Sequence, residues 1–269
     1  GLRVWKVSVA HVAIQAAHAG SLALMDHFRK PLEVRAKGVA NYVSQADLDA
    51  ESAVVQTILD AFPSHAILSE ESHSDRADED HSWIIDPLDG TNNFIHGIPH
   101  FAVSIGYYQK GQGILGIVTS PATGDWFVGA RGEGAWFNGQ PIRVSHAEGL
   151  DQAMIACGFY YDRDQMMQST LDTLGDLFRR QIHGIRRCGA AALDLAYVAA
   201  GWFDGFFEYR LSPWDIAAGA VLIQEAGGMV SDCRGDRIRL DRPSSICASG
   251  AELHGKLLEV VSQRFPNDA

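Results

Sequence analysis

The chain has no uninterrupted apolar stretch approaching the roughly 20 residues that cross a bilayer. The Ala- and Val-rich run from Val4 to Met25 is interrupted by His11, Gln15 and His18, and it lacks the compact core of a signal peptide. Its spacing predicts an amphipathic helix instead. The chain opens without Met, which suggests processing or an expression scar. Cysteine is scarce: Cys157, Cys188, Cys233 and Cys247 are the four, and none forms a C-x-x-C pair. That argues against a disulfide scaffold, and it fits buried thiols in a reducing cytoplasm. Positive charge is also short. Lys plus Arg number 22 against 33 Asp plus Glu, a formal net charge of −11. Such a surface repels nucleic acid and anionic membrane. An acidic chain that handles phosphate needs a local positive device, either a metal ion or a helix N-terminus. Repeats and low-complexity linkers are absent too.

What remains is an ordinary globular composition, 46% hydrophobic and 20% charged, long enough for one large domain or two packed halves. Pro31 and Lys37-Gly38 mark a loop after the first helix. Ala46 to Phe62 predicts a second helix and Ala66 to Ser69 a short strand leading into Glu70-Glu71. A solvated acidic loop is expected from Ser74 to Asp80. Trp83-Ile84-Ile85 is a strand signal that stops at Asp86-Pro87. From Phe101 to Gln140 the pattern is antiparallel, with strands at Phe101–Tyr108, Ile114–Thr119 and Trp126–Ala130 and a turn at Asn138-Gly139. Beyond it, strands and helices alternate, and Pro213 starts a helix that Gly227-Gly228 ends. The reading is an α+β subdomain over residues 1–150 and an α/β subdomain over residues 151–269.

The informative segment is Asp86-Pro87-Leu88-Asp89-Gly90-Thr91-Asn92-Asn93-Phe94. Pro87 fixes φ and removes a donor, and Gly90 permits a sharp turn. Two carboxylates three apart are thereby aimed at one point, where a carbonyl such as that of Leu88 can join them. These are hard oxygen ligands, suited to Mg²⁺ or Mn²⁺. Thr91 and Asn93 begin a helical turn whose free N–H groups attract phosphate. An isolated D-x-x-D pair reads more simply as an Asx turn with solvated acids. Asp215, alone, reads as a helix-dipole partner.

The strings Ser69-Glu70-Glu71-Ser72, Trp83 through Phe94, Phe101-Ala102-Val103-Ser104-Ile105, Trp214-Asp215 and Glu225-Ala226-Gly227-Gly228 together resemble the inositol monophosphatase family, within the wider fructose-1,6-bisphosphatase-like, lithium-sensitive phosphatases. Asn41 through Asp47 resembles that family's upstream D-x-V-T-x-x-D element. The resemblance implies a layered αβαβα sandwich of α+β class. It implies that Glu70, Asp86 and the Leu88 carbonyl hold one Mg²⁺ and that Asp86, Asp89 and Asp215 hold a second. A weaker third metal position would lie beside Glu70. Thr91, paired with Asp47, would orient the attacking water, and Glu70 would help hold it. The backbone of Gly90 and Thr91 would contact the phosphate, and Gly189, Ala191 and Glu208 the substrate's ring and hydroxyls. Arg186 and Arg187 read as contacts to a second phosphate, to a dimer neighbour, or as surface residues. Lys37 is expected near the metal-side loop. Asn92 and Asn41 depart from the family strings. His96 and His100 read as loop or core residues, and the glycines at 129, 132, 134 and 139 as hairpin rather than nucleotide-loop residues.

The activity so implied is Mg²⁺-dependent hydrolysis of inositol monophosphates by a cytoplasmic, lithium-sensitive homodimer. The alternatives are a phosphatase of 3′-phosphoadenosine 5′-phosphate, fructose-1,6-bisphosphate or histidinol phosphate, and an interaction protein with a partner in transcription. No membrane contact or direct nucleic-acid contact is expected.

Overall fold

The computed structural model describes residues 8–71, 74–75 and 80–266. In chain order the elements open with α1 (Val9–His27), β1 (Val34–Gly38), β2 (Asn41–Ser44), α2 (Gln45–Ala61), β3 (Ala66–Ser69), β4 (Ser74–Asp75), β5 (His81–Asp89) and α3 (Thr91–Ile95). An antiparallel run follows: β6 (Ala102–Gln109), β7 (Gln112–Ser120), β8 (Asp125–Ala130), β9 (Gly134–Phe137) and β10 (Gln140–Ile142). After a 3-10 turn at Leu150–Gln152 come β11 (Met154–Cys157), α4 (Gln165–Arg179), β12 (Gly184–Arg186), α5 (Ala191–Ala199), β13 (Gly205–Leu211), α6 (Pro213–Glu225), β14 (Gly228–Ser231), β15 (Ser244–Gly250) and α7 (Ala251–Gln263). Most of the acidic loop expected from Ser74 to Asp80 lies outside the described residues, as does Ser72.

The strands form, among the described residues, an eight-stranded sheet in the order β10-β9-β8-β7-β6-β5-β3-β4, a five-stranded sheet in the order β12-β11-β13-β15-β14, and the β1-β2 hairpin. One core joins α1 and α2 to the first face of the large sheet through Val54, Ile58, Trp83 and Ile105. A second packs α5 and α6 between the two sheets through Val118, Phe127, Leu195 and Phe206. A third seals the outer face of the small sheet with α4 and α7 through Leu177, Phe207 and Leu257. Helix pair, sheet, helix pair, sheet, helix pair is the five-layer α+β sandwich. The α5–α6 layer, which follows residue 150, covers a sheet built entirely before it.

Local rules explain most boundaries. Ser44 caps α2, and Asp47 returns the bond to the Ser44 amide at 2.7 Å, a capping box. The hairpin between β9 and β10 closes on Asn138-Gly139, both with positive φ. Two expectations fail. The strand does not stop at Asp86-Pro87: β5 runs on to Asp89. Asp86 pairs with Ser104 and Asp89 with Ala102, so three steps on β5 face two on β6. The bulge accommodates a proline that has no N–H to give the ladder. Lys37-Gly38 is the end of a strand rather than a loop. β1 is exposed along its whole length, so it carries none of the alternation by which a strand is read.

The seating of α6 depends on three glycines. Gly106, Gly116 and Gly129 face one another in register across β6, β7 and β8. A Cβ on Gly106 would lie 2.9 Å from that of Ala217, one on Gly116 would lie 2.4 Å from the carbonyl oxygen of Ala218, and one on Gly129 would lie 3.1 Å from the Cα of Leu222. The helix backbone therefore rests directly on the sheet, and its first turn is fixed with it. Replacing Gly116 by Ala is expected to cost about 1–3 kcal/mol of stability through overpacking, read as a lower denaturation midpoint. Gly38→Ala, where a Cβ meets nothing within 4 Å, is the control and leaves the midpoint unchanged.

Candidate metal centre

β3 and β5 are parallel neighbours with Ser69 opposite Ile85, so Glu70 and Asp86 leave the sheet side by side. The β5 bulge turns Asp89 to the same side. Asp215 arrives from the first turn of α6. Asp86, Asp89 and Asp215 each offer a carboxylate oxygen, and these oxygens lie within 4.8 Å of one another. They sit at the floor of a 530 Å³ cleft that Glu70, Thr91 and Glu208 also line. A larger groove of 980 Å³ opens elsewhere, along Ile67, Tyr108 and Arg237, and holds no such convergence of carboxylates.

Each acid is held by backbone. Leu88 N–H donates to Asp86 Oδ1 at 3.2 Å, the Asx geometry that the bland reading of this pair foresaw. Ala192 N–H, in the first turn of α5, donates to Asp89 Oδ2 at 2.8 Å. Ser212 N–H donates to Asp215 Oδ2 at 2.9 Å. Hydrogen bonds of this kind contribute about 0.5–1.5 kcal/mol each, and more where the carboxyl is ionised, and they restrain acids that line the cleft. Gly90 has φ 88°, and a Cβ there would crowd the His100 carbonyl at 3.1 Å. Thr91 follows as the first residue of α3. Its hydroxyl donates to Asp47 Oδ1 at 3.0 Å, with the Leu88 carbonyl at 3.3 Å. Asp47 itself is buried behind Thr91 and does not line the cleft.

The electrostatics are those of crowded acids. Burial pushes Glu70 up to about 8, and the Asp215 charge adds to it. Burial raises Asp89 and Asp215 to about 7, and Asp86 goes well above its ordinary range with Glu70 as its next cause. The nearby Asp89 and Asp215 charges raise Asp86 further. Lys37 reaches from β1 to Glu70 at 3.4 Å and to Glu71, on the rim rather than on the triad. The donors are hard oxygens that repel one another until a cation or protons neutralise them. That set fits a hard divalent ion.

The far wall of the cleft comes from the small sheet. Gly189 has φ 89°, and Ala191 opens α5. Glu208 is 6% exposed, lines the cleft, and packs so closely on Gly158 that a Cβ there would fall 1.9 Å from Oε2. His96 and His100 lie in and after the α3 cap, apart from the acid cluster. Asn92 donates to the Ala40 carbonyl at 2.9 Å and Asn93 to those of His100 and Cys188, so both amides brace the turn. Arg186 does not line the cleft, whereas Arg187 does. Sequence reading passed over Asp194, Tyr160, Tyr161 and Arg210, all in the cleft wall. Arg210 was findable by period two from Glu208 along β13. Asp194 reads as an ordinary first-turn acid, and its Oδ1 is buried without a hydrogen-bond partner among the described residues.

Residues 5–264 match the model of the inositol monophosphatase family. The chain is 42% identical over 264 residues to a Pseudomonas aeruginosa protein named Nus factor SuhB, covering 95% of this chain and 96% of that one. It is 39% identical over 264 residues to an inositol-1-monophosphatase of Rhizobium meliloti, covering 96% and 97%. The crystal structure of extragenic suppressor protein SuhB from Bartonella henselae superposes with a TM-score of 0.88 at 38% identity, covering 96% of this chain and 99% of that one. An acid triad at the end of a bulged strand, braced by two helix starts, thus occurs in a chain that matches this family along nearly its whole length, and the chain belongs to the inositol monophosphatase family.

Proposed function

We propose that the chain is a Mg²⁺-dependent phosphomonoesterase that hydrolyses inositol monophosphates such as myo-inositol 1-phosphate. The observation that carries this is the convergence of Asp86, Asp89 and Asp215 within 4.8 Å, beside Glu70 and opposite Glu208. Asp86, Asp89, Asp215, Glu70 and the Leu88 carbonyl would hold two or three ions, Mg²⁺ or Mn²⁺ in its place. Such ions, when bound, lower the pKa of water and balance phosphoryl charge. The remaining work falls to the chain. Thr91, held by Asp47, orients water beside Glu70. The backbone at Gly90 and Thr91 and the first turn of α3 face the phosphate. Glu208 accepts from vicinal hydroxyls, while Gly189 and Ala191 leave room for the ring. In-line positioning of water, phosphorus and leaving oxygen needs no covalent phospho-enzyme. Lithium sensitivity and a homodimer belong to the same reading.

A sugar- or nucleotide-phosphatase is the runner-up within the same chemistry. Relatives named Nus factor SuhB, 42% identical, favour a second role with a protein partner in transcription. The net charge of −11 disfavours direct nucleic-acid contact.

Three outcomes test the reading. In a substrate panel with and without Mg²⁺, hydrolysis of inositol monophosphate requires the metal, and Asp89→Asn removes it by about 10²-fold or more while the melting curve stays cooperative. Normal turnover by a folded Asp89→Asn protein contradicts the assignment. Gly158→Ala displaces the Glu208 carboxylate and raises KM more than it lowers kcat; an unchanged KM argues against Glu208 as a hydroxyl acceptor.

The third outcome concerns pH. A carboxyl whose folded pKa is raised stabilises the fold below its unfolded value, near 4, and loses that contribution as pH climbs through the folded value. Here the folded values are about 7 for Asp89 and Asp215 and about 8 for Glu70. In a chelator, stability therefore falls as pH rises across this window. Metal must displace those protons, so the melting shift given by Mg²⁺ is larger at about pH 8 than at about pH 6. A larger shift at the lower pH contradicts this.

A further inference from the structure

Few side-chain polar atoms of the described residues are buried without a hydrogen-bond partner, and Ser104 Oγ is one of them. Ser104 is 0% exposed, the most deeply buried residue of that set. An orphaned buried hydroxyl is costly, and it calls for a partner in another state of the molecule. The fold says where that partner is. Along β6, Val103 and Ile105 belong to the α1–α2 core, whereas Gly106 seats Ala217 of α6. By the period of two, Ser104 shares the Gly106 face. Its neighbour on β7, Val118, belongs to the core that holds α5 and α6. Its neighbour on β5 is Asp86. Residues directly opposite in an antiparallel pair stand on one face with their Cβ atoms about 5 Å apart. The orphaned hydroxyl therefore stands beside the carboxylate of Asp86.

Asp86 is also the acid with the most to hold. It is the one carboxylate assigned to both ions. Its backbone bond, from Leu88 N–H at 3.2 Å, is longer than the 2.8 Å and 2.9 Å bonds that restrain Asp89 and Asp215. A carboxylate that holds a cation is an anion with acceptors only. A second donor beside it fixes its orientation and strengthens its hold on the ion. Ser104 does not line the cleft, so it meets no substrate and acts only through Asp86. We propose that Ser104 is a positioning residue of the metal centre: its hydroxyl donates to the Asp86 carboxylate when that carboxylate holds a cation, and so fixes the acid that two ions share. The proposal rests on the metal centre of the phosphomonoesterase reading and adds a residue to it.

The test measures Mn²⁺ binding to the full chain without substrate, from the paramagnetic resonance of the free ion, together with melting curves in a chelator. Ser104→Ala is expected to weaken Mn²⁺ binding by about tenfold or more. In the chelator its melting midpoint equals or exceeds that of the wild type, because the substitution removes a hydroxyl that bonds to nothing there. Ser104→Cys, similar in shape but a weaker donor, falls between in affinity. Ser145→Ala removes another orphaned hydroxyl, away from the cleft, and leaves Mn²⁺ binding unchanged. Unchanged affinity in Ser104→Ala overturns the proposal, as does an equal loss in Ser145→Ala. A lowered midpoint in the chelator also overturns it, since the hydroxyl would then be holding the fold rather than the ion. If Ser104→Ala does not fold, Ser104→Cys decides by the same two readouts. If the wild type binds no Mn²⁺, the metal centre itself is refuted and the proposal falls with it.

Discussion

Mutual repulsion among buried carboxylates is the constraint around which this molecule is organised. Asp86, Asp89 and Asp215 bring oxygens within 4.8 Å of one another in a cleft floor where burial penalises each charge. Nothing about packing favours that arrangement. It persists because every member is restrained by backbone donors, from Leu88, Ala192 and Ser212, that belong to a strand bulge and two helix starts. Scaffold rigidity is what prevents the acids from simply turning away into water. The stored electrostatic cost is what a cation relieves, so binding strength and fold stability draw on the same interaction.

How much of this was legible in the sequence follows from how local each feature is. Asp86-Pro87-Leu88-Asp89-Gly90-Thr91 announces its turn because proline, glycine and two acids act within a few residues. The helix at residues 45–61 announces itself by the spacing of Val54, Val55, Ile58 and Leu59, and the one at residues 213–225 by Pro213. The strand end at Asp89 did not, because a proline reads as a stop and only the pairing with β6 shows that a bulge absorbs it. β1 was hidden by exposure of every residue along it. Residues Ile216–Ile223 are all buried, which reveals that α6 is covered all round but not by which sheets.

The cleft wall was the least legible part. Its residues come from the ends of three strands widely separated along the chain, and their meaning lies in which ends coincide. Glu208 carries a resemblance to known phosphatases; Arg210 two residues on carries none, and its part in the wall emerges only beside the rings that follow β11. The metal side of the site is therefore a property of short strings, whereas the side facing the leaving group is a property of topology.

The glycine stripe beneath α6 bears on when the site comes into being. Glu70, Asp86 and Asp89 all emerge early during synthesis, yet Asp215 is delivered only when a much later helix docks onto Gly106, Gly116 and Gly129. A nascent chain that has completed the large sheet still exposes the bare glycine furrow and holds an unfinished set of acids. Cation capture is thus deferred to the last stages of maturation, and loading with ion reports that the polypeptide has closed up.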